Sequence, residues 1–183
     1  GFLNGRITGS LDGYIRKTKD LINAEVNVPA GTDFAEYVVS NIGSLENKGV
    51  EFSINTRPIV SRDFSWDLGF NIAYNKTKIT ELTYNDNSDS PGKRFESTGG
   101  DGGLRLKIHS VGYAPGTFYV FQQVYDADGN PIEGEYVDRN GDGVITDNDL
   151  YRYKKPTADV LMGFNSKFTY KQWDLGFNGR VSL

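Results

Sequence analysis

Apolar and polar side chains alternate with a period of two along this chain, and that period admits strands and excludes amphipathic helices. The clearest run is Phe64, Trp66, Leu68, Phe70, Ile72 and Tyr74, interleaved with Ser65, Asp67, Gly69, Asn71, Ala73 and Asn75. The hexapeptide WDLGFN inside it recurs at 173–178. There Trp173, Leu175, Phe177, Val181 and Leu183 alternate with Asp174, Gly176, Asn178, Arg180 and Ser182. Each copy therefore presents one greasy face and one small or polar face. Leu3, Ile7, Leu11 and Ile15 oppose Asn4, Arg6, Thr8, Ser10, Asp12, Tyr14 and Arg16 in the same way. Val50, Phe52 and Ile54 oppose Glu51, Ser53 and Asn55, and Met162, Phe164, Phe168 and Tyr170 mark a further strand.

These strands are joined by connections that run long, short, long, short. Residues 17–47 and 81–158 carry turn and loop chemistry, whereas RPIVSRD and Lys171-Gln172 are short. A soluble sandwich keeps its turns short at both ends. A transmembrane barrel alternates short periplasmic turns with long outer loops, and its tilted strands need roughly 9–11 residues to cross the bilayer. Trp66 and Trp173 follow the short turns, where an aromatic girdle meets lipid headgroups. The fold expected is all-β, an antiparallel segment of a large transmembrane β-barrel with long extracellular loops, incomplete on its own because an open edge in lipid leaves backbone groups unpaired. Residues 1–183 form the barrel segment and 81–158 its long outer loop region. Ile7, Leu11, Phe52, Ile54, Leu68, Phe70, Phe168 and Phe177 are expected to face lipid. Arg6, Asp12, Asn71, Asn178 and Arg180 are expected on the lumen side. The alternative is a soluble, calcium-dependent β-rich binding or adhesion module whose greasy faces pack together.

Composition agrees with β structure rich in turns, with Gly 22, Tyr 11 and Phe 11 among 183 residues. The net charge of −4 gives no basic field for nucleic acid. Without cysteine there is neither a disulfide nor a thiolate metal site. No run of apolar residues is long enough for a membrane-spanning helix, and the start GFLNGRITGS has no signal-peptide layout.

DRNGDGVITDND at 138–149 is the most specific chemical motif. Asp138, Asn140 and Asp142 stand at the first, third and fifth positions of an EF-hand-like loop. Gly143 stands at the turn position and Val144 offers its carbonyl at the seventh. Thr146 falls at the ninth position, and Asp149 replaces the bidentate glutamate at the twelfth. Hard oxygen donors at this spacing suit calcium. The competing reading is an Asx- and Gly-rich turn held by its own side-chain-to-backbone bonds. DADGN at 126–130 reads as a hairpin turn. No catalytic residue is expected: His109 is the sole histidine, VGYAPGTF is not a nucleophile elbow, and GGDGG lacks the Lys-Ser/Thr of a phosphate loop.

Several stretches resemble one family in sequence and in order: GSLDGYIRKTKDLI, VPAGTDF, NIGSLENKGVEFSINTRPI, GYAPGTFYVFQQVYDADGNP, YVDRNGDGVITDNDL and GFNSKFTYKQWDLGFNGR. Together they look like the C-terminal barrel region of SusC/RagA-type TonB-dependent transporters. That resemblance implies a barrel of about 22 strands with an N-terminal plug, in the outer membrane of a Gram-negative bacterium. It also implies a SusD-like surface lipoprotein partner, energy from TonB, and import of oligosaccharides or peptides. The chain is then expected to be a fragment whose partners are membrane lipid and the rest of the barrel and plug.

Overall fold

The computed structural model describes residues 1–27, 37–82, 91–95 and 105–183. Their strands are β1 (Ile7–Asn27), β2 (Tyr37–Val60), β3 (Phe64–Glu81), β4 (Lys93–Phe95), β5 (Lys107–His109), β6 (Thr117–Val120), β7 (Gln123–Tyr125), β8 (Pro131–Tyr136), β9 (Tyr151–Arg152), β10 (Val160–Tyr170) and β11 (Trp173–Ser182). The five long strands form one sheet in the order β1-β2-β3-β10-β11. The chain divides into two compact units, residues 1–17, 46–77 and 157–183 in one and residues 18–45 and 78–156 in the other.

In the first unit three tight turns close the same end of the sheet. Leu3, Asn4 and Gly5 adopt left-handed backbone conformations in a hairpin that pairs Phe2 with Ile7. The second turn, Ser61–Asp63, is tied by Ser61 N donating to Phe64 O at 2.8 Å. The third is Lys171-Gln172, whose Lys171 N donates to Asp63 O of the neighbouring turn at 2.8 Å. β10 lies between the two WDLGFN copies, pairing Phe168 with Trp66 on one side and with Leu175 on the other. The copies are thus out of step by two residues, since Trp173 pairs with Tyr170. The repeat reflects two strands meeting the same surroundings at different heights, not a symmetric pair.

The first expectation to be corrected concerns residues 17–47, read from sequence as a loop. β1 continues to Asn27 and β2 begins at Tyr37. The physical reason lies at Asp20, which takes a positive φ of 59°. A left-handed residue interrupts the pleat, so a period-two count fails across it while pairing continues. β3 likewise runs on to Glu81, past the point where its alternation fades.

The second unit builds a small scaffold of its own from the sequence that joins β3 to β10, with one sheet in the order β4-β5-β6-β9 and a β7-β8 hairpin. Ile108, Tyr119 and Leu150 form its buried cluster, with Phe121 against it. DADGN is the hairpin turn expected: Asp126 N donates to Asn130 O at 2.9 Å, and the Asp126 carboxylate accepts the Asp128 and Asn130 amides. Ile79 at the far end of β3 bridges in parallel to Val111, exchanging backbone bonds with Tyr113 and Gly112 at 2.8 Å each.

Candidate functional site

The first unit offers two chemically opposite faces. On the polar face Arg57 of β2 pairs with Asp67 of β3, and Lys167 of β10 lies 3.8 Å from Asp174 of β11. Small residues let long neighbours reach across. Tyr14 on β1 donates to Asn75 on β3 over Gly49 of the intervening strand, and a Cβ at Gly49 would strike both groups. At Gly69 a Cβ would likewise strike Asn55 of β2 and Asn165 of β10. Asn71 pairs with Gly163, which in turn pairs with Arg180, and Asn178 pairs with Asn165. Arg6 and Asp12 fall on this face by alternation with Ser10, whose hydroxyl meets that of Ser53 at 2.9 Å.

The opposite face carries Ile7, Leu11, Phe52, Ile54, Leu68, Phe70, Phe168 and Phe177, so the two residue sets separate as expected. Toward the short turns it becomes aromatic: Trp66 stacks on Phe168 at 5.4 Å, and Phe64 and Phe177 approach the same ring at 6.4 and 6.5 Å. A polar residue on this face, Ser166, accepts the Trp66 indole N–H at 3.0 Å. Sequence reading passed over that pair, although Ser166 was visible as a hydroxyl inside an apolar alternation.

Among the described residues the apolar side chains of this face stay largely uncovered. Leu11 and Trp173 are each 72% exposed, and Leu175 and Phe177 remain more than half exposed. From Phe64 to Tyr74 the apolar stretch of β3 rises about 33 Å along the strand, or about 25 Å at a tilt of about 40°. That height matches the lipid-facing band of an outer-membrane barrel. The greasy faces do not pair with each other, as the soluble-module alternative requires.

In the second unit the loop 138–149 is ordered by its own side chains. Both Asp138 oxygens accept backbone amides, from Gly141 at 2.6 Å and Gly143 at 2.7 Å. Asn140 accepts from Asp142 N at 3.0 Å, and Asp142 accepts from Val144 N at 2.8 Å. Asp149, fully buried, accepts from Arg139 N at 2.8 Å, Asn140 N at 3.3 Å and Thr146 N at 2.8 Å. Thr146 and Asp149 form a reciprocal capping box on the 3-10 turn Asp147–Asp149.

The Thr146 amide foremost holds the Asp149 carboxyl below the ordinary aspartate range. Burial pushes it upward, and the Arg139 and Asn140 amides and the Asp138 side chain add to the lowering. Among the described residues no three His, Asp or Glu side chains converge on a point that could hold a metal ion. The five expected ligand positions therefore lie on one loop, with the spacing of a calcium site but with carboxylates turned to backbone amides.

Arg152 is a second organiser that sequence reading missed. Its guanidinium donates to Ser110 Oγ at 3.0 Å and to the Pro91 carbonyl at 2.6 Å, and lies 4.5 Å over the Tyr113 ring.

A two-faced sheet with one apolar band left exposed and short turns closing one end defines a wall segment of a transmembrane β-barrel. Comparison with known proteins agrees. The family model described as TonB dependent receptor-like, beta-barrel, matches residues 2–180. The chain belongs to this TonB-dependent receptor family. It is 54% identical to the TonB-dependent receptor SusC of Bacteroides thetaiotaomicron over all of its own length and 18% of that protein. It is 34% identical to TonB-dependent receptor P26 of Formosa agariphila over 95% of the chain and 18% of that protein. In fold it is similar to the RagAB peptide transporter, with a TM-score of 0.67 and 22% identity over 97% of the chain and 19% of its counterpart. The chain thus spans about a fifth of the length of the relatives it matches, and the relatives are receptors and a transporter by name.

Proposed function

We propose that this chain is a wall-and-loop segment of a TonB-linked importer for oligosaccharides or peptides, acting in the outer membrane of a Gram-negative bacterium. The observation that carries the reading is the uncovered apolar band on one face of the five-stranded sheet, of bilayer height, with a hydrogen-bonding face behind it. In this reading the band meets lipid, the polar face lines the lumen, and the second unit stands outside the cell. The rest of the barrel and a plug complete the pore, TonB supplies energy, and a SusD-like lipoprotein delivers cargo. The chain itself does no bond chemistry.

Family membership and the identity to SusC support this reading, and the fold shared with a peptide transporter keeps both cargo classes in it. The test is uptake by cells with and without the full-length gene, offered labelled oligosaccharides and labelled peptides, before and after collapse of the proton-motive force. Loss of energy-dependent uptake of one class is expected on deletion. Unchanged uptake of both, or a full-length protein monodisperse without detergent, would refute it. Calcium binding by Asp138, Asn140, Asp142, Val144 and Asp149 is a separate proposal supported by spacing alone.

A further inference from the structure

On the apolar face, the end remote from the short turns finishes in lysine. Gly49 and Asn75 adjoin on the polar face, so Lys48 and Lys76, one residue further from the turns, adjoin on the opposite face, just past Val50 and Tyr74. Lys17 of β1 shares that face, because it and Lys48 reach the same carboxylate. Lys48 Nζ is 3.1 Å and Lys17 Nζ 4.0 Å from Glu46. Glu46 is only 8% exposed, whereas the Lys17 and Lys48 side chains are 68% and 55% exposed, and Lys76 is exposed as well. Lys17, Lys48 and Lys76 outnumber the Glu46 carboxylate, so positive charge borders the apolar band.

We propose that Lys17, Lys48 and Lys76 form a docking site for the headgroup of a lipid of net negative charge, held through its phosphate, in the leaflet at the loop end. The inference rests on the membrane-spanning reading of the sheet. Long lysine stems lie along apolar surface while their ammonium groups reach the headgroup layer. Basic side chains at that depth attract anionic lipid, and each ammonium offers three donors to phosphate oxygens. Continuity with the apolar band decides the occupant: the same ligand must put acyl chains on Val50 and Tyr74 and phosphate on the lysines, which a soluble anion or a peptide does not do. Glu46 draws Lys48 and Lys17 together, whereas among the described residues Lys76 makes no ion pair, so its charge is the one most available.

The test uses the full-length transporter in vesicles, with a fluorophore on Val50→Cys and quenching by phosphatidylglycerol or phosphatidylcholine carrying a nitroxide near the glycerol. Preferential quenching by phosphatidylglycerol is expected. In Lys48→Gln/Lys76→Gln that preference should fall by roughly ten-fold or more at low ionic strength. Lys167→Gln, on the polar face, should leave it intact, and millimolar inorganic phosphate should not compete. Equal quenching by both lipids, an unchanged preference in the double variant, or full competition by free phosphate would each overturn the lipid site. A full-length protein that fails to enter vesicles would instead overturn the membrane-spanning reading beneath it.

Discussion

Arginine placed along the apolar alternation of β3 measures how deeply each position sits in lipid. Leu68 stands four residues beyond Phe64, the first residue of the strand. That is about 13 Å along the strand and about 10 Å in height at a tilt of about 40°, close to the middle of a band about 25 Å tall. Leu68→Arg in the full-length protein should therefore cost about 2–4 kcal/mol, the range for a cation at the bilayer midplane. Tyr74, at the rim, should tolerate arginine for about 0–1 kcal/mol, because the side chain reaches water. On the other face Asp67→Arg removes the carboxylate paired with Arg57 and sets two cations together, a cost of about 1 kcal/mol at an exposed pair. Reversible unfolding in guanidinium chloride from phosphatidylcholine vesicles, followed by tryptophan fluorescence, gives the three values. The gradient from Leu68 to Tyr74 is the critical outcome. A cost at Tyr74 equal to that at Leu68, or at Asp67 as large as at Leu68, would show that the face is covered by protein.

Ser166→Ala and Trp66→Phe should each strand a polar group in the apolar band, so the pair should couple in a double-mutant cycle by about 0.6–1.7 kcal/mol; additive single costs would mean that the 3.0 Å bond carries no stability. The loop 138–149 should loosen in acid. Because amide bonds lower the Asp149 carboxyl in the folded state, its stabilisation is fully present above the ordinary aspartate value near 3.9, and is lost as pH falls from there through the lowered folded value. Amide exchange at Arg139 and Thr146 in the full-length protein should accelerate over that window, and Asp149→Asn should remove the dependence. Calcium, if it binds the loop at the weak affinity typical of extracellular modules, about 10⁻⁴–10⁻³ M, should be taken up in calorimetry and should protect the loop from protease. Asp142→Ala should abolish both effects, and no uptake at millimolar calcium would leave the self-bonded turn as the whole account.

What could be read from the chain depended on whether a position answers to its environment or to its partners. Leu68, Phe70, Phe168 and Phe177 answer to lipid, and period two exposes them without any knowledge of register. Residues 18–27 of β1 do not: their strand state depends on pairing, and the left-handed Asp20 breaks the period on which a sequence reading relies. The DADGN turn was legible because Asp126 satisfies amides only two and four residues away. Arg152, with partners at Pro91, Ser110 and Tyr113, was not, because nothing local marks where its donors go.

The loop 138–149 shows how one spacing can serve two purposes. Oxygen-bearing side chains at the first, third, fifth and twelfth positions are what a cation needs, and they are equally what a tight turn needs to satisfy its amides. Asp138 does the second job for Gly141 and Gly143, residues with φ of 75° and 82° that local turn bonds would otherwise leave unpaired. Asp149 does it for Arg139, Asn140 and Thr146 from a buried position, joining both ends of the loop through one carboxylate. An aspartate there holds its amides from close range, where the longer glutamate would have to fold back. Asp149 therefore serves the turn whether or not a cation is present, which is why its substitution should disorder the loop with or without calcium.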